Sequence, residues 1–295
     1  MTKIVCFGEV LWDVFPTHKT IGGAPLNVAL RLKSFQNDVS LISCLGNDTS
    51  GNELKLELEK FLISYYLQTD NEYKTSTVAI SLDKSGSASY LINQPCAWDN
   101  IKVTSKLISL VKSSEAFVFG SLVARSNTSR NTLVKLLPFS KFSVFDVNLR
   151  PPHYHMSSIQ VLMNAANFIK FNDDELTEIS EGLGIQGASI EQTIVSVATI
   201  TNTASICVTL GEKGAILFYD QRFFYSKGYQ VEVVDTVGSG DSFLATLIDA
   251  LLKAEDPQIA INRACAIGAL VAKTRGANPM ISKLEIDAIM NQNLP

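Results

Sequence analysis

The sequence predicts an α/β protein with a mostly parallel central sheet covered by helices on both faces, to which a small β-sheet is added. Three observations carry that prediction. Short apolar runs alternate with amphipathic helical stretches along the 295 residues. The runs read as strands buried on both faces, as a covered parallel sheet requires. One segment, near residues 77–92, breaks the rhythm with two strands joined by a tight-turn signal. Composition agrees, since 46% hydrophobic and 18% charged residues exclude a disordered chain.

Taken in order, Lys3–Gly8 reads as a buried strand, and Pro25 suits the first turn of a helix running to about Phe35. Val39–Cys44 is the next strand. Asn52–Leu62 is a helix with Leu54, Leu58, Phe61 and Leu62 on one side. Thr77–Leu82 and Ser87–Ile92 are the paired strands, with Asp83-Lys84-Ser85-Gly86 between them as the turn. Ala116–Phe119, Ser143–Val147, Asn167–Phe171 and Ser205–Leu210 follow, each set off from the next by a helical segment. Tyr229–Val234 reads as a further strand. Beyond it Phe243, Leu244, Leu247, Ile248, Leu251 and Leu252 recur at helical spacing. There is no low-complexity linker, charge block or internal repeat. The expected organisation is one α/β domain over residues 1–295, with a β lid contributed by about 10–20 and 77–98.

Charge narrows the function. With 25 basic and 29 acidic residues the net charge is −4, so nothing attracts nucleic acid or an anionic membrane, and neither is an expected partner. An anionic ligand must instead be held by local geometry. The five cysteines (Cys6, Cys44, Cys96, Cys207, Cys265) form no CxxC pair and read as reduced core residues. No run approaches the ~18 apolar residues of a membrane span, and the start lacks a secretory pattern. A cytoplasmic protein is expected. His153 and His155, with no third ligand nearby, read as loop residues.

The most informative stretch is Asp235-Thr-Val-Gly238-Ser239-Gly240-Asp241-Ser-Phe243, which lies where a strand gives way to a helix. Backbone amides at a helix start have no helical partner, so they bind an anion without a cationic side chain. Glycine lets the main chain approach a phosphate closely. Asp241 has two readings: a general base for a hydroxyl that attacks the bound phosphate, or a residue that caps the helix. A dinucleotide fingerprint would need a small residue where Phe243 stands, and no GxxxxGK[ST] occurs. Near the N-terminus, Gly22-Gly23-Ala24-Pro25-Leu26-Asn27 precedes a helix, with Asp13 upstream. These residues suit a polyhydroxylated ligand touching backbone and side chains, or else a plain loop-to-helix junction.

Together the two segments resemble the two signatures of the ribokinase/PfkB family of carbohydrate kinases. The first is matched over residues 22–48 and the second over Asp235–Phe243, and the likeness covers essentially the whole chain. Gln94-Pro-Cys-Ala-Trp98-Asp99-Asn-Ile, Phe119-Gly-Ser-Leu-Val-Ala-Arg125 and Asp146-Val-Asn148-Leu-Arg150-Pro are most similar to the fructokinase branch. Three departures are Ser239 for the signature alanine, Thr246 for a helix glycine, and the stretch Arg275-Gly-Ala-Asn278-Pro-Met280 where some relatives use a side-chain oxygen for a monovalent cation.

The resemblance implies a ribokinase-like three-layer sandwich and transfer of a phosphoryl group from ATP to a sugar primary hydroxyl. D-fructose is the first candidate acceptor, with ribose or 2-keto-3-deoxygluconate as alternatives and a non-catalytic sensor as the reading from another class. It also gives roles to residues. Asp241 corresponds to the base, and the amides of Gly238, Ser239 and Gly240 to the anion hole. Asp13, Gly22, Gly23, Asn27 and Arg150 correspond to sugar contacts, although a structural salt bridge is an open reading for Arg150. Asn172 and Glu175 match an NxxE motif that positions Mg²⁺ through water, although the pair also fits a helix-capping box. Thr209 and Gly211 match a TxGxxG nucleotide loop, although the same residues also fit a hairpin turn. ATP and Mg²⁺ are the implied cofactors, K⁺ stays open, and a homodimer through apolar lid positions Val78, Ile80, Tyr90 and Ile92 is an implied partner arrangement.

Overall fold

A computed structural model describes residues 1–61, 63–82, 88–187 and 189–293. The turn expected at 83–86 and the helix residue Leu62 lie outside the described residues, as do the side chains of Ile80 and Tyr90. The chain opens with strands β1 (Lys3–Phe7), β2 (Leu11–Val14) and β3 (Lys19–Gly22), then helix α1 (Ala24–Ser34). Next come β4 (Asp38–Gly46), α2 (Thr49–Glu59), β5 (Ser64–Asp70), β6 (Thr77–Leu82) and β7 (Ala88–Ile92). A strand–helix alternation follows: α3 (Ser105–Ser113), β8 (Ala116–Gly120), α4 (Asn127–Leu136), β9 (Ser143–Asp146), α5 (Met156–Asn164), β10 (Phe168–Asn172), α6 (Asp173–Gly182), α7 (Ile190–Thr201) and β11 (Ser205–Thr209). The chain then makes β12 (Ala215–Tyr219) and β13 (Arg222–Ser226) before α8 (Ser239–Leu252), α9 (Pro257–Ala272) and α10 (Lys283–Met290).

Among the described residues the large sheet has nine strands in the order β13-β12-β11-β10-β9-β8-β1-β4-β5. The seven from β5 to β11 are parallel, and β12 and β13 close one edge antiparallel. Successive side chains of a strand point to opposite faces. In β1, Val5 and Phe7 therefore join one core with α3 to α7, while Ile4 and Cys6 join a second core with α1, α2, α8 and α9. Both faces are covered, so the central strands are mostly apolar on both sides, with Asp146 and Lys170 as buried charged exceptions. All five cysteines are free and buried in these cores. The small sheet, ordered β3-β2-β6-β7, stands apart, with β2 and β6 parallel at its centre.

Three differences from the sequence reading have physical causes. The helix expected from Asn52 begins at Thr49, because Asp48 caps it by accepting a hydrogen bond from the Gly51 amide at 2.7 Å. Phe61 lies beyond the end of α2 and is exposed. Tyr229–Val234 is not a strand. The hairpin β12–β13 already occupies the sheet edge, turning at Asp220 and Gln221 with φ of 50° and 58°. After it the chain bends at Gly228, and the amides of Val234 and Asp235 bond instead to the Ala272 carbonyl.

The join between the small sheet and the core is a buried ion pair. Arg125 donates from Nε and Nη2 to the two oxygens of Asp99, both at 2.8 Å, and from Nη2 to the Asn93 carbonyl just beyond β7. Its guanidinium lies 3.9 Å from the Trp98 ring centre. Breaking a buried pair strands a charge, so Arg125→Leu is expected to lose about 3–5 kcal/mol in urea unfolding. Replacing both partners by Leu should recover part of that loss.

Candidate active site

A cleft of about 600 Å³ opens where β1, β8, β9 and β10 end, beside the small sheet. Connections from β1 lead one way to β4 and those from β8 lead the other way to β9, so the sheet order reverses there. In open α/β sheets that reversal leaves a crevice at the carboxyl ends of the strands.

Asp241 forms the floor of the cleft. It is the third residue of α8 and 9% exposed. Its Oδ2 accepts a hydrogen bond from Asn27 Nδ2 at 2.8 Å, and it accepts none from an amide of its own helix among the described residues. The capping reading is therefore not realised. Burial pushes its carboxyl up to about 6, and the charge of Asp146 adds to this, while Asn27, Lys170 and Arg150 work against the rise. Beside it, the amides of Gly238, Gly240 and Asp241 have no acceptor among the described residues. Ser239 departs from expectation, because its amide donates to Thr236 O at 3.2 Å and its hydroxyl to Gly268 O at 2.9 Å. The tight turn before the helix uses that amide, and the amide of Asp241 is free in its place. Gly238 has φ of 76°, and a Cβ there would lie 2.5 Å from Ala277, so only glycine fits.

The other wall comes from the first strands and α1. Asp13 lines the cleft and burial raises its carboxyl to about 6. Gly22 faces that carboxylate, since a Cβ would fall 2.1 Å from Asp13 Oδ2. Gly23, at φ of 117°, brings the start of α1 against the Glu9 carbonyl. Asn27 lines the cleft, with its amide already committed to Asp241 and to Asn278. Arg150 also lines it, is exposed, and forms no ion pair among the described residues, so the salt-bridge reading is not realised. Val78 and Ile92 of the small sheet line the cleft as well, Val78 buried and Ile92 half-buried.

The remaining expected residues lie outside the cleft lining. Asn172 and Glu175 make a complete capping box at the start of α6, with reciprocal bonds of 2.7 and 2.8 Å, and the second Glu175 oxygen accepts from the Leu149 amide. Thr209 and Gly211 sit at the β11–β12 turn, closed by Leu210 N bonding to Gly214 O at 2.8 Å.

Four residues with no expected role belong to the site. Lys170 lines the cleft and is 6% exposed, and its Nζ is 2.9 Å from Asp146 Oδ1. A methyl group on Gly240 would lie only 3.4 Å from that Nζ. Burial opposes the lysine charge, but Asp146 and Glu175 more than offset it and hold the amine protonated. Glu9 is buried in the cleft wall, one oxygen has no partner, and burial raises it to about 7. Asn278 closes the set. A signal existed for Lys170 and Asp146: a charge inside an apolar strand has to be paired.

A buried carboxylate beside free helix-start amides is an arrangement suited to phosphoryl transfer to a hydroxyl. The description "pfkB family carbohydrate kinase" matches residues 1–284, and the chain belongs to that family. It is an ATP-dependent sugar kinase. A putative sugar kinase of Pyrococcus horikoshii is 29% identical over 246 residues, which cover 82% of this chain and 77% of that protein. Its crystal structure in complex with ATP superposes with a TM-score of 0.80 at 26% identity, covering 97% of this chain and 99% of that one. A probable fructokinase-3 of Arabidopsis thaliana is 26% identical over 310 residues, covering 94% of this chain and 88% of that protein. A 2-dehydro-3-deoxygluconokinase structure from Thermotoga maritima shares the fold, with a TM-score of 0.85 at 20% identity and 98% coverage of both chains.

The raised Asp241 carboxyl has a cost in stability. Its folded value of about 6 lies above the ordinary 3.8, so the ionised form destabilises the fold fully above pH 6. That cost disappears as pH falls toward 3.8. Asp241→Asn is therefore expected to raise the thermal midpoint at pH 7.5, by about 1–2 kcal/mol in stability. Melting curves down to pH 4 should show the advantage shrinking.

Proposed function

We propose that this sugar kinase transfers the γ-phosphoryl group of ATP to the 6-hydroxyl of D-fructose, with Asp241 as the general base. The observation that carries the reading is the Asp241 carboxylate, buried in the cleft and, among the described residues, free at Oδ1 and beside three amides without an acceptor. In the proposed step the sugar oxygen attacks the γ-phosphorus as its proton passes to Asp241. The bond to the ADP oxygen breaks, and fructose 6-phosphate and ADP result. The amides of Gly238, Gly240 and Asp241 take the charge that develops on the phosphoryl oxygens. Lys170 adds one fixed cation at that end of the cleft. Positioning and charge stabilisation are the main sources of rate in such transfers.

At the acceptor end, Asp13 takes hydrogen bonds from sugar hydroxyls, while Gly22 and Gly23 let the sugar approach the backbone and Arg150 closes the open side. The small sheet serves as a lid. Mg²⁺ brought in with ATP would be held through water by Asn172 and Glu175 and would supply neutralisation of the phosphate charge. The described residues hold no cluster of acidic, His or Cys side chains that would cage a metal. The oxygens of Asn172 and Glu175 are each used once by an amide and keep a lone pair, which suits contact through water.

Fructokinase relatives spanning most of the chain favour fructose. Arg150, which lines the cleft with no ion-pair partner among the described residues, favours the second reading, a sugar acid such as 2-keto-3-deoxygluconate. An ADP-release assay across fructose, ribose and 2-keto-3-deoxygluconate separates them, with fructose expected to give the highest kcat/KM. Asp241→Asn should lower kcat by about 10²–10⁴ with little change in ATP affinity; near-normal turnover would remove the base assignment. In the wild type, kcat is expected to fall as pH drops through about 6, where Asp241 takes up its proton.

A further inference from the structure

The loop 275–279 lies against the catalytic turn, and nothing above gives it a task. It is fastened at three points. The Gly276 amide donates to Asp235 Oδ2 at 3.0 Å, and the same carboxylate accepts from the Val237 amide through Oδ1 at 3.0 Å. Ala277 fills the space that a side chain on Gly238 would need. The Pro279 carbonyl accepts from Arg31 Nη2 at 3.0 Å, and the buried Arg31 also donates from Nε to the hydroxyl of Ser242, the residue after the base. Between these fastenings, Asn278 donates from Nδ2 to Asn27 Oδ1 at 2.8 Å, and Asn27 in turn donates from Nδ2 to Asp241 Oδ2 at 2.8 Å.

We infer that Asn278 is a positioning residue for the phosphoryl transfer: by donating to Asn27 it anchors that amide against Asp241 Oδ2, and so keeps Oδ1 the oxygen free to take the proton. The inference rests on the reading of Asp241 as the base.

The polarity of the chain is fully determined. An ionised carboxylate only accepts hydrogen bonds, so Asn27 must present its nitrogen to Asp241 and its oxygen outward. That outward oxygen is satisfied only if Asn278 presents a donor. A non-donor at 278 leaves the Asn27 oxygen unpaired and the Asn27 amide held on one side only, by Asp241. The amide is then free to shift, its bond to Asp241 Oδ2 weakens, and Oδ1 and Oδ2 become less distinct as proton acceptors. The bond to Asn27 also favours the ionised form of Asp241. The other charged groups facing Asp241 are Asp146 and Glu9, which oppose ionisation, and Lys170 and Arg150, which support it. None of these four touches Asn278 through a hydrogen bond or ion pair, so a substitution there acts through Asn27.

The test compares Asn278→Leu, Asn278→Ala and Asn278→Gln with the wild type, assaying full-length protein with MgATP and the best acceptor of the sugar panel. Leu and Ala are expected to lower kcat about three- to tenfold, the worth of a neutral hydrogen bond. Both should also move the acid limb of the kcat–pH profile upward while leaving KM for MgATP near the wild-type value. Gln, which keeps a donor, should restore part of both effects. An acid limb that stays in place in Leu and Ala overturns the inference whatever happens to kcat, because a merely structural loop would lower turnover without retuning the base. Assaying Asp241→Asn beside them keeps the two readings apart. Its near-normal turnover would remove the base itself, whereas an Asp241-dependent limb unmoved in Asn278→Leu would remove only the role of Asn278.

Discussion

Much of the site depends on one hydrogen bond, that from Asn27 to Asp241, which joins residues 214 positions apart. It ties the start of α1 to the start of α8, two helices that reach the cleft from opposite ends of the chain. Each helix start has its own reason to be there. Gly23 lets α1 begin against the Glu9 carbonyl, and Gly238 lets α8 begin against Ala277. The two turns need glycine because the Glu9 carbonyl and Ala277 already fill the space a side chain would take. Arg31 reinforces the same contact from α1 by bonding to Ser242. The wall that carries Gly23 and Asn27 and the Asp241 carboxylate are thus one mechanical unit.

The electrostatics follow from burial. A net charge of −4 offers no general attraction for ATP, and the cleft itself holds more carboxylates than cations. Within it, Asp241 can ionise near neutral pH because Lys170 and Asn27 offset part of the burial penalty. Lys170 in turn is kept charged by Asp146. A strand buried on both faces is a costly place for a lysine, and the pairing is what makes it tolerable. The sheet therefore supplies a fixed positive charge at a point where a surface lysine would be mobile and hydrated.

How much of this was legible in the sequence depends on how local each signal is. The parallel strands were legible because burial on both faces leaves nearly continuous apolar runs. The turn of β12–β13 was not, because Asp220 and Gln221 adopt left-handed conformations without the glycine that marks such turns. Tyr229–Val234 carries a strand-like pattern, but Tyr229 packs into the core beside α8 and α9, Val233 and Val234 are exposed, and its backbone meets the end of α9 rather than a sheet edge. In the site, Asp241, Gly23, Gly238 and Asn27 fall in compact motifs whose spacing already implies chemistry. Lys170 and Asp146 pair only because β9 and β10 are adjacent. Asn278 meets Asn27 across 251 positions, and nothing around it in the sequence marks the meeting. Asn172 and Glu175 show the converse case, a motif with two readings whose capping bonds are plain in the fold.

The burial of the five cysteines has a consequence outside catalysis. Burial raises all five thiols, Cys44 and Cys96 to about 12 and Cys265 to about 11, with Cys6 and Cys207 also driven upward. The thiolate is the nucleophile in alkylation, so the folded protein presents almost none. A thiol reagent then reacts only when a core opens, and Cys6 and Cys207 sit in the α8–α9 core while Cys44 and Cys96 sit in the other. The chain thereby carries a built-in clock for each half of the sandwich, one that times the opening of the two faces separately without any added label.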